Sequence, residues 1–365
     1  MLTGPAVPLD PPVRIGIAGT GGVALACAAW LCAQGHAVTL WSPGGRGALP
    51  LRNQPLTAHG VVQGVHAVGV ADDASALAAQ SDVLLVAVPA NAHRTVADAL
   101  APQLRPGQTV VVSSTASLSA LYLFEAAQRH GRAVAVAAFG TTVFTARRDG
   151  PASVRVLTRR RQLGVSALPC ARAGELAALC TQLFGPGFEP HPNVLASTLG
   201  NVNPISHGPL ALLNWTRIER AEAWPQYHYL TPRVAAVIER LDAERLLLAQ
   251  AFGLQLLGIE AHFARSFGTR AQGLAAIADE LHALRGGPPG PTDLATRYLA
   301  EDMPFGLAFH IALGRLAGIA LPATQAVVDA ASLAAGCDYA AGNDLLAPLG
   351  LRDETVAGLC ARVAA

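Results

Sequence analysis

Apolar positions in the first half of the chain come in short runs separated by helical stretches. "VRIGIA" (13–18) is a β-rich run; a glycine turn then opens the Ala/Leu/Cys stretch "GTGGVALACAAWLCAQGH", and "AVTLW" (37–41) is a second run. Together they predict a βαβ unit. Further strand-like runs at 82–90, 109–114, 133–140 and 153–158 alternate with helical stretches, which predicts a doubly wound parallel sheet. After "FGPGFEPHPN" (184–193), which reads as a linker, the strand-like pattern gives way to helical periodicity over 234–257, 271–285 and 305–318. The expected fold is α/β followed by all-α: an N-terminal tail at 1–12, a doubly wound Rossmann-type domain at 13–188, and a helical domain at 189–365. A length of 365 residues agrees with two domains.

The first turn carries chemistry. Gly19, Gly21 and Ala24 fit G-x-G-x-x-[GA] between a strand and a helix. The first glycine makes the tight turn, the second lets backbone approach a pyrophosphate, and the small third residue lets helix pack on strand. Gly22 belongs to the same phosphate loop, where free N–H groups and the helix dipole favour anions. The acidic residue that binds a ribose 2′-hydroxyl in NAD sites is missing after the second strand; Ser42 and Arg46 stand there instead. That tilts the expected cofactor from NADH toward NADPH, with a plain exposed loop arginine as the equal reading of Arg46. Pro89 and Ala90 follow a buried strand at its carboxyl end, where such sheets bind ligands. His93 reads as an ordinary helix-start residue.

Two interruptions mark the second half. In "GNVNPISHGPLALLNW" (200–215), Asn203 and Pro204 have the form of an N-cap with proline at the first helical position, placing His207 in the first turn. Pro209 should kink or break that helix beside the histidine. The dipole at a helix start opposes imidazolium and favours the neutral ring. The other interruption, "RGGPPGPTD" (285–293), reads as a flexible loop before "ATRYLAEDMPFG". Asp302, ahead of Pro304 and a new helix, is either a partner for His207 or a helix-capping aspartate. Arg297 has a fork suited to a carboxylate, or else makes a surface salt bridge.

Composition narrows the chemistry. Hydrophobic residues make up 52% and charged residues 14%, yet no apolar run reaches the ~18 residues of a membrane span. The tail lacks the basic start and apolar segment of a signal peptide. Net charge is +1, and the one basic run, "TRRRQ" from Thr158, reads as a solvated turn, so neither nucleic acid nor membrane is an expected partner. Six cysteines without a CxxC pair suggest reduced thiols in a cytoplasmic protein and no metal site. All 26 basic residues are arginine. The absence of lysine closes every mechanism that needs a lysine acid, base or Schiff base.

The chain resembles the octopine/nopaline (opine) dehydrogenase family over nearly its whole length. The resemblance lies in the glycine fingerprint, "VPANAH" (88–93), "RVLTRRRQLGVSALP" (155–169), "FEPHPNVLASTLGNVNPISHGPLALLNWTRIE", "YLTPRVAAVIERLDAER" and "RYLAEDMPFGLAFHIALGRLAGIALPAT". It implies an oxidoreductase that condenses an amino acid with an α-keto acid and reduces the imine with NAD(P)H, giving an N-(1-carboxyalkyl) amino acid. It further implies His207 and Asp302 as a catalytic dyad and Arg297 as the substrate-carboxylate arginine; Asn203 and Thr231, within the matching motifs, join them as substrate-binding candidates. The loop at 286–291 is expected to form part of a closing lid. The chain departs from the family at "SSTASLSA" (113–120), where many members have Pro-Gly-Arg-like sequence, at "AAFGTT" (137–142), and at Ser42. The alternatives are an NADP-dependent hydroxy-acid or ketopantoate-type reductase, a class that generally relies on a lysine, and a non-catalytic NAD(P)-binding dimer. A homodimer is left open.

Overall fold

The computed structural model describes residues 12–286 and 288–365; the N-terminal tail, save Pro12, lies outside them. The chain forms two compact units. The first runs to Thr198 and takes in Ala361–Ala365; the second is Leu199–Cys360. The division falls ten residues beyond the break expected after 188, because the segment expected as a linker is built into the first unit.

That unit contains twelve strands. β1 (Arg14–Ala18), β2 (Ala37–Trp41), β5 (Gly69–Val70), β6 (Val83–Val86), β7 (Thr109–Val112) and β8 (Ala135–Phe139) form the parallel part of an eight-stranded sheet. β11 (Leu163–Leu168) adds antiparallel to β8, and β12 (Phe188–Pro190) adds parallel to β11, giving the order β12-β11-β8-β7-β6-β1-β2-β5. Helices α1 (Gly22–Ala33), α2 (Ala74–Gln80), α3 (His93–Leu100), α4 (Ser119–Arg129) and α5 (Ala173–Phe184) connect these strands, and α6 (Val194–Leu199) leads out. β6, β7 and β8 are buried at every position, as strands covered on both faces must be.

A second sheet, unforeseen from the sequence, has the order β4-β3-β10-β9: β4 (Gly64–His66), β3 (Leu56–Gly60), β10 (Ser153–Arg159) and β9 (Phe144–Gly150). The 153–158 run, expected in the parallel sheet, lies here. Its pattern has one inward face: Val154 and Val156 are buried while Arg155 and Leu157 point out, which suits a one-sided sheet packed on α1. Two more expectations change. Residues 187–191 are no linker but an edge strand: Leu163 N–H donates to Gly187 O, His191 N–H donates to Val165 O, and proline is tolerated at such an edge. "TRRRQ" is only in part a solvated turn, since Arg159 ends β10 and donates to Phe184 O and Pro186 O, and Arg160 donates to Thr142 O.

The second unit is helical: α7 (Asn203–Leu213), α8 (Trp215–Glu219), α9 (Pro232–Ala251), α10 (Ile259–Phe267), α11 (Leu274–Arg285), α12 (Arg297–Ala300), α13 (Ala308–Ala317) and α14 (Pro322–Ala335). α15 (Val356–Ala364) carries the chain back to the first unit, where Cys170 N–H donates to Ala365 O and Arg362 pairs with Glu125. No helix among the described residues is long and apolar enough to cross a membrane.

Candidate active site

α7 starts differently from the expectation. Val202 is the cap, Asn203 the first helical residue and Pro204 the second, so His207 opens the second turn. Asn201 does the capping: its Oδ1 accepts the Asn203 N–H at 3.1 Å. Pro204 has no N–H to satisfy at the position where a helix start would leave one unpaired, so the prolyl residue costs nothing there. Pro209 does not break the helix, which continues to Leu213. The single backbone bond it forfeits is outweighed by burial of Ile205, Gly208, Leu210 and Ala211 around it.

Facing α7 is a five-residue π-helical turn, Met303–Leu307, closed by Ala308 N–H donating to Met303 O. Such turns recur at functional sites. Two glycines let these segments approach. A Cβ on Gly306 would lie 2.3 Å from Pro204 Cβ, and one on Gly208 would lie 2.8 Å from Leu307 Cδ1. Asp302 stands at the start of the π-turn and makes no side-chain cap bond, so the capping reading fails. Its Oδ2 lies 2.8 Å from His207 Nδ1. A carboxylate can only accept, so the ring proton of neutral His207 sits on Nδ1 and the lone pair on Nε2, which has no partner among the described residues. The two side chains retain 12% and 11% exposure, enough for one ring edge to be reached in a water-poor setting.

Tyr298 on α12 stacks flat on the His207 ring, with centroids 3.7 Å apart and planes 3° from parallel. Its hydroxyl donates to Gln226 Oε1 at 2.6 Å. Arg297 is exposed and forms no ion pair among the described residues, against the salt-bridge reading; its Cζ lies 5.8 Å from the Tyr298 ring. Burial pushes the His207 pKa down, Asp302 opposes that shift, and Arg297 adds to it. The ring is therefore a neutral base near pH 7 with a carboxylate behind it to stabilise the imidazolium once formed.

Asn203 has a side-chain amide with no hydrogen bond among the described residues, on the same helix as His207. Thr231 is exposed, caps α9 through its carbonyl and makes no side-chain cap bond. The described part of the loop expected as a lid, residues 288–291, forms a strap: Gly290 N–H donates to Trp224 O (2.7 Å), Gln226 N–H to Pro288 O (3.3 Å) and Trp224 Nε1–H to Pro291 O (2.9 Å). Position 287 of that loop lies outside the described residues.

In the first unit the glycine turn has the geometry a dinucleotide needs. Gly19 has φ +133°, and a Cβ there would meet Ala87 O at 2.2 Å, so only glycine fits. Gly21 caps α1, and a Cβ on it would meet nothing within 4 Å, which leaves its backbone open to a phosphate. Ala24 is fully buried beside Gly19. Gly22 does something else: a Cβ there would press on Ala146 O at 2.7 Å, so its smallness serves packing against β9. At the carboxyl ends of β2 and β7 the buried Ser42 Oγ and Ser113 Oγ have no hydrogen-bond partner. Arg46 is exposed without a partner among the described residues; Pro89 is exposed and Ala90 buried in the turn after β6. An open amide turn and two unsatisfied hydroxyls along one end of a parallel sheet suit a nucleotide cofactor. His93, expected as a plain helix-start residue, is a buried tie: Nε2–H donates to Val88 O (3.1 Å), and Nδ1 accepts from Ser119 Oγ (2.6 Å).

Tyr298, Gln226, Gly306 and Ser113 were missed from the sequence. The first two carry no motif of their own; only the "RY" pair at Arg297 could have pointed to Tyr298.

Comparison with known proteins completes the description. Residues 190–335 match the model for the alpha-helical domain of NAD/NADP octopine/nopaline dehydrogenase, and residues 15–169 match that for ketopantoate reductase PanE/ApbA. The chain is 28% identical over 353 residues to an opine dehydrogenase of Arthrobacter sp. (strain 1C), covering 94% of this chain and 96% of that protein. Among solved structures it resembles octopine dehydrogenase with NADH and L-arginine (TM-score 0.79, 18% identity, 96% of this chain and 98% of that one). It also resembles NADP+-bound yersinopine dehydrogenase (TM-score 0.71, 15% identity, 98% and 99%).

Proposed function

We propose that the chain, whose residues 190–335 match the helical domain of octopine/nopaline dehydrogenase, is an opine dehydrogenase that catalyses the NAD(P)H-dependent reductive condensation of an amino acid with an α-keto acid. The observation that carries the reading is the His207–Asp302 pair, with Arg297 five residues before Asp302 and no lysine anywhere in the chain. Arg297, unpaired and exposed, holds the keto-acid carboxylate. Nε2 of His207 carries two protons in turn from the amine nitrogen to the former keto oxygen, one as the amine adds to give the carbinolamine and one as water leaves to give the imine. Asp302 keeps Nδ1 protonated and stabilises the charged ring between those steps. NAD(P)H supplies the hydride that reduces the imine. The backbone of Gly19 and Gly21 holds the pyrophosphate, with Ser42, Arg46, Pro89 and Ala90 along the same end of the sheet, and the lack of an acidic residue after β2 favours NADPH. The solved relatives bind NADH in one case and NADP+ in another.

The PanE/ApbA match over 15–169 favours a second reading, reduction of a keto acid without an amine. A screen of NADPH oxidation separates the two, using pyruvate, 2-oxoglutarate and glyoxylate with and without each amino acid. Oxidation dependent on the amine is expected; oxidation indifferent to it selects the second reading. His207→Ala should lose roughly two to four orders of magnitude in rate, and near-normal turnover returns His207 to a structural part.

A further inference from the structure

We propose that Tyr298 is a positioning residue for His207, holding the imidazole plane from the face while Asp302 holds it from the edge, and that Gln226 and the 288–291 strap hold Tyr298 in turn. The inference rests on the reading of His207 as the base.

A ring tied only through Nδ1 can still tilt about the hydrogen bond. A flat stack at 3.7 Å and 3° removes that freedom, because tilting would drive one ring edge into the tyrosine. The two restraints act at right angles, and together they fix the direction in which Nε2 points. Tyr298 is fixed at its far end: its hydroxyl donates to Gln226 Oε1 at 2.6 Å. Gln226 is itself buried, and its backbone N–H donates to Pro288 O at 3.3 Å. A Cβ on Gly290 would stand 2.2 Å from Trp224, so the strap lies directly on the ring two residues before Gln226. The result is a continuous support from strap to Gln226, to Tyr298, to the imidazole.

The stack also has an electronic side. An aromatic face stabilises a cation above it, so Tyr298 favours the imidazolium that the acid–base cycle requires. The charged groups acting on the ring are Asp302 and Arg297, of opposite sign. Arg297 lies 5.8 Å from the same tyrosine ring, so one aromatic side chain adjoins both the base and the carboxylate-binding cation.

The test titrates His207 by heteronuclear NMR of imidazole resonances in the full chain, its signal among the 11 histidines identified by its loss in His207→Ala. Tyr298→Leu, which removes the face, should lower the His207 pKa by about half a unit or more. In the active system it should cut kcat roughly tenfold or more with KM for the keto acid changed less than about threefold, and it should move the His207 limb of the pH profile the same way. Tyr298→Phe and Gln226→Met keep an aromatic face but lose the tether; they should lower kcat by a smaller factor and broaden the His207 resonance. Should Tyr298→Leu fail to fold, these two variants carry the test: a wild-type kcat and an unbroadened resonance in both overturns the proposal. A raised KM with an unmoved His207 pKa and an unmoved pH profile also overturns it, making Tyr298 a substrate contact. The titration needs no substrate, so it stands even if amine-independent oxidation removes the condensation reading.

Discussion

Replacing Gly306 by alanine tests whether the approach of two backbones sets the geometry of the base. The added methyl would lie 2.3 Å from Pro204 Cβ and 2.4 Å from its Cγ. Carbon atoms pack at about 3.5–4.0 Å, so the π-turn and the start of α7 must separate by about 1.2–1.7 Å. Neither side yields cheaply: Pro204 has a fixed ring, and Gly306 sits in a turn anchored by Asn343 Nδ2–H donating to Pro304 O at 2.9 Å. Transmitted to the facing residues, a shift of that size stretches the 2.8 Å His207–Asp302 contact to about 4 Å, past the limit of a hydrogen bond. The expected cost is about 1–3 kcal/mol of stability from overpacking and roughly a hundredfold in rate from misplacement of the ring. Thermal melting and amine-dependent NADPH oxidation measure the two. Gly208→Ala is the comparison, since its methyl meets the free end of Leu307 at 2.8 Å and should cost less on both counts. A Gly306→Ala protein with wild-type rate and melting temperature would refute the claim that the glycine pair sets the dyad distance.

Other outcomes follow from the first unit. Burial holds the His93 pKa down at about 4 against an ordinary 6.5, so the unfolded chain takes up the proton first as pH falls. Stability from this group is fully present above pH 6.5, is lost as pH drops toward 4, and should be smaller by about 2 kcal/mol at pH 5 than at pH 7. His310, held down to about 3 by burial and then by Arg245, acts in the same direction. Urea unfolding of His93→Gln at both pH values should show a smaller difference than the parent, and an equal one removes His93 from the account. Gly21→Val should melt like the parent, because its side chain starts in open space, yet bind NADPH more weakly by fluorescence titration; Gly19→Ala should lower the melting temperature, having both a left-handed φ and a carbonyl in its way. Unchanged NADPH affinity in Gly21→Val would move the pyrophosphate elsewhere.

What could be read from the sequence follows the range of the interactions involved. β1 and β2 are legible to within a residue, and α1 in its place between them, because a buried β-branched run, a glycine turn and an apolar helix are local facts. β9, "FTARRDG", was not, since its adjacent charged residues look like a solvated loop until β10 pairs with it. β12 was hidden by Pro190 and the prolines on either side of it, which mark turns in most settings, while Pro190 here occupies a sheet edge. His207 and Asp302 could be nominated, since residue type narrows the choice in a chain without lysine. The residues that hold them could not: Gly306 matters only because Pro204 lies opposite it, and Tyr298 only because its ring meets one 91 positions earlier in sequence. Asn-Pro at 203–204 is a strong local cap signal, yet it is Asn201 Oδ1 that accepts the Asn203 N–H.

The return of α15 has a consequence for synthesis. The chain passes between its two units at 198/199 and again at 360/361, so the sheet unit consists of two separate stretches of sequence. Its contacts from Arg362 to Glu125 and from Ala365 O to Cys170 cannot form until the whole helical unit has been translated. During elongation the sheet unit therefore waits, short of a few contacts, for the unit that carries His207. Completion of one is tied to production of the other, and a nascent chain stopped anywhere in the helical unit leaves both halves unfinished.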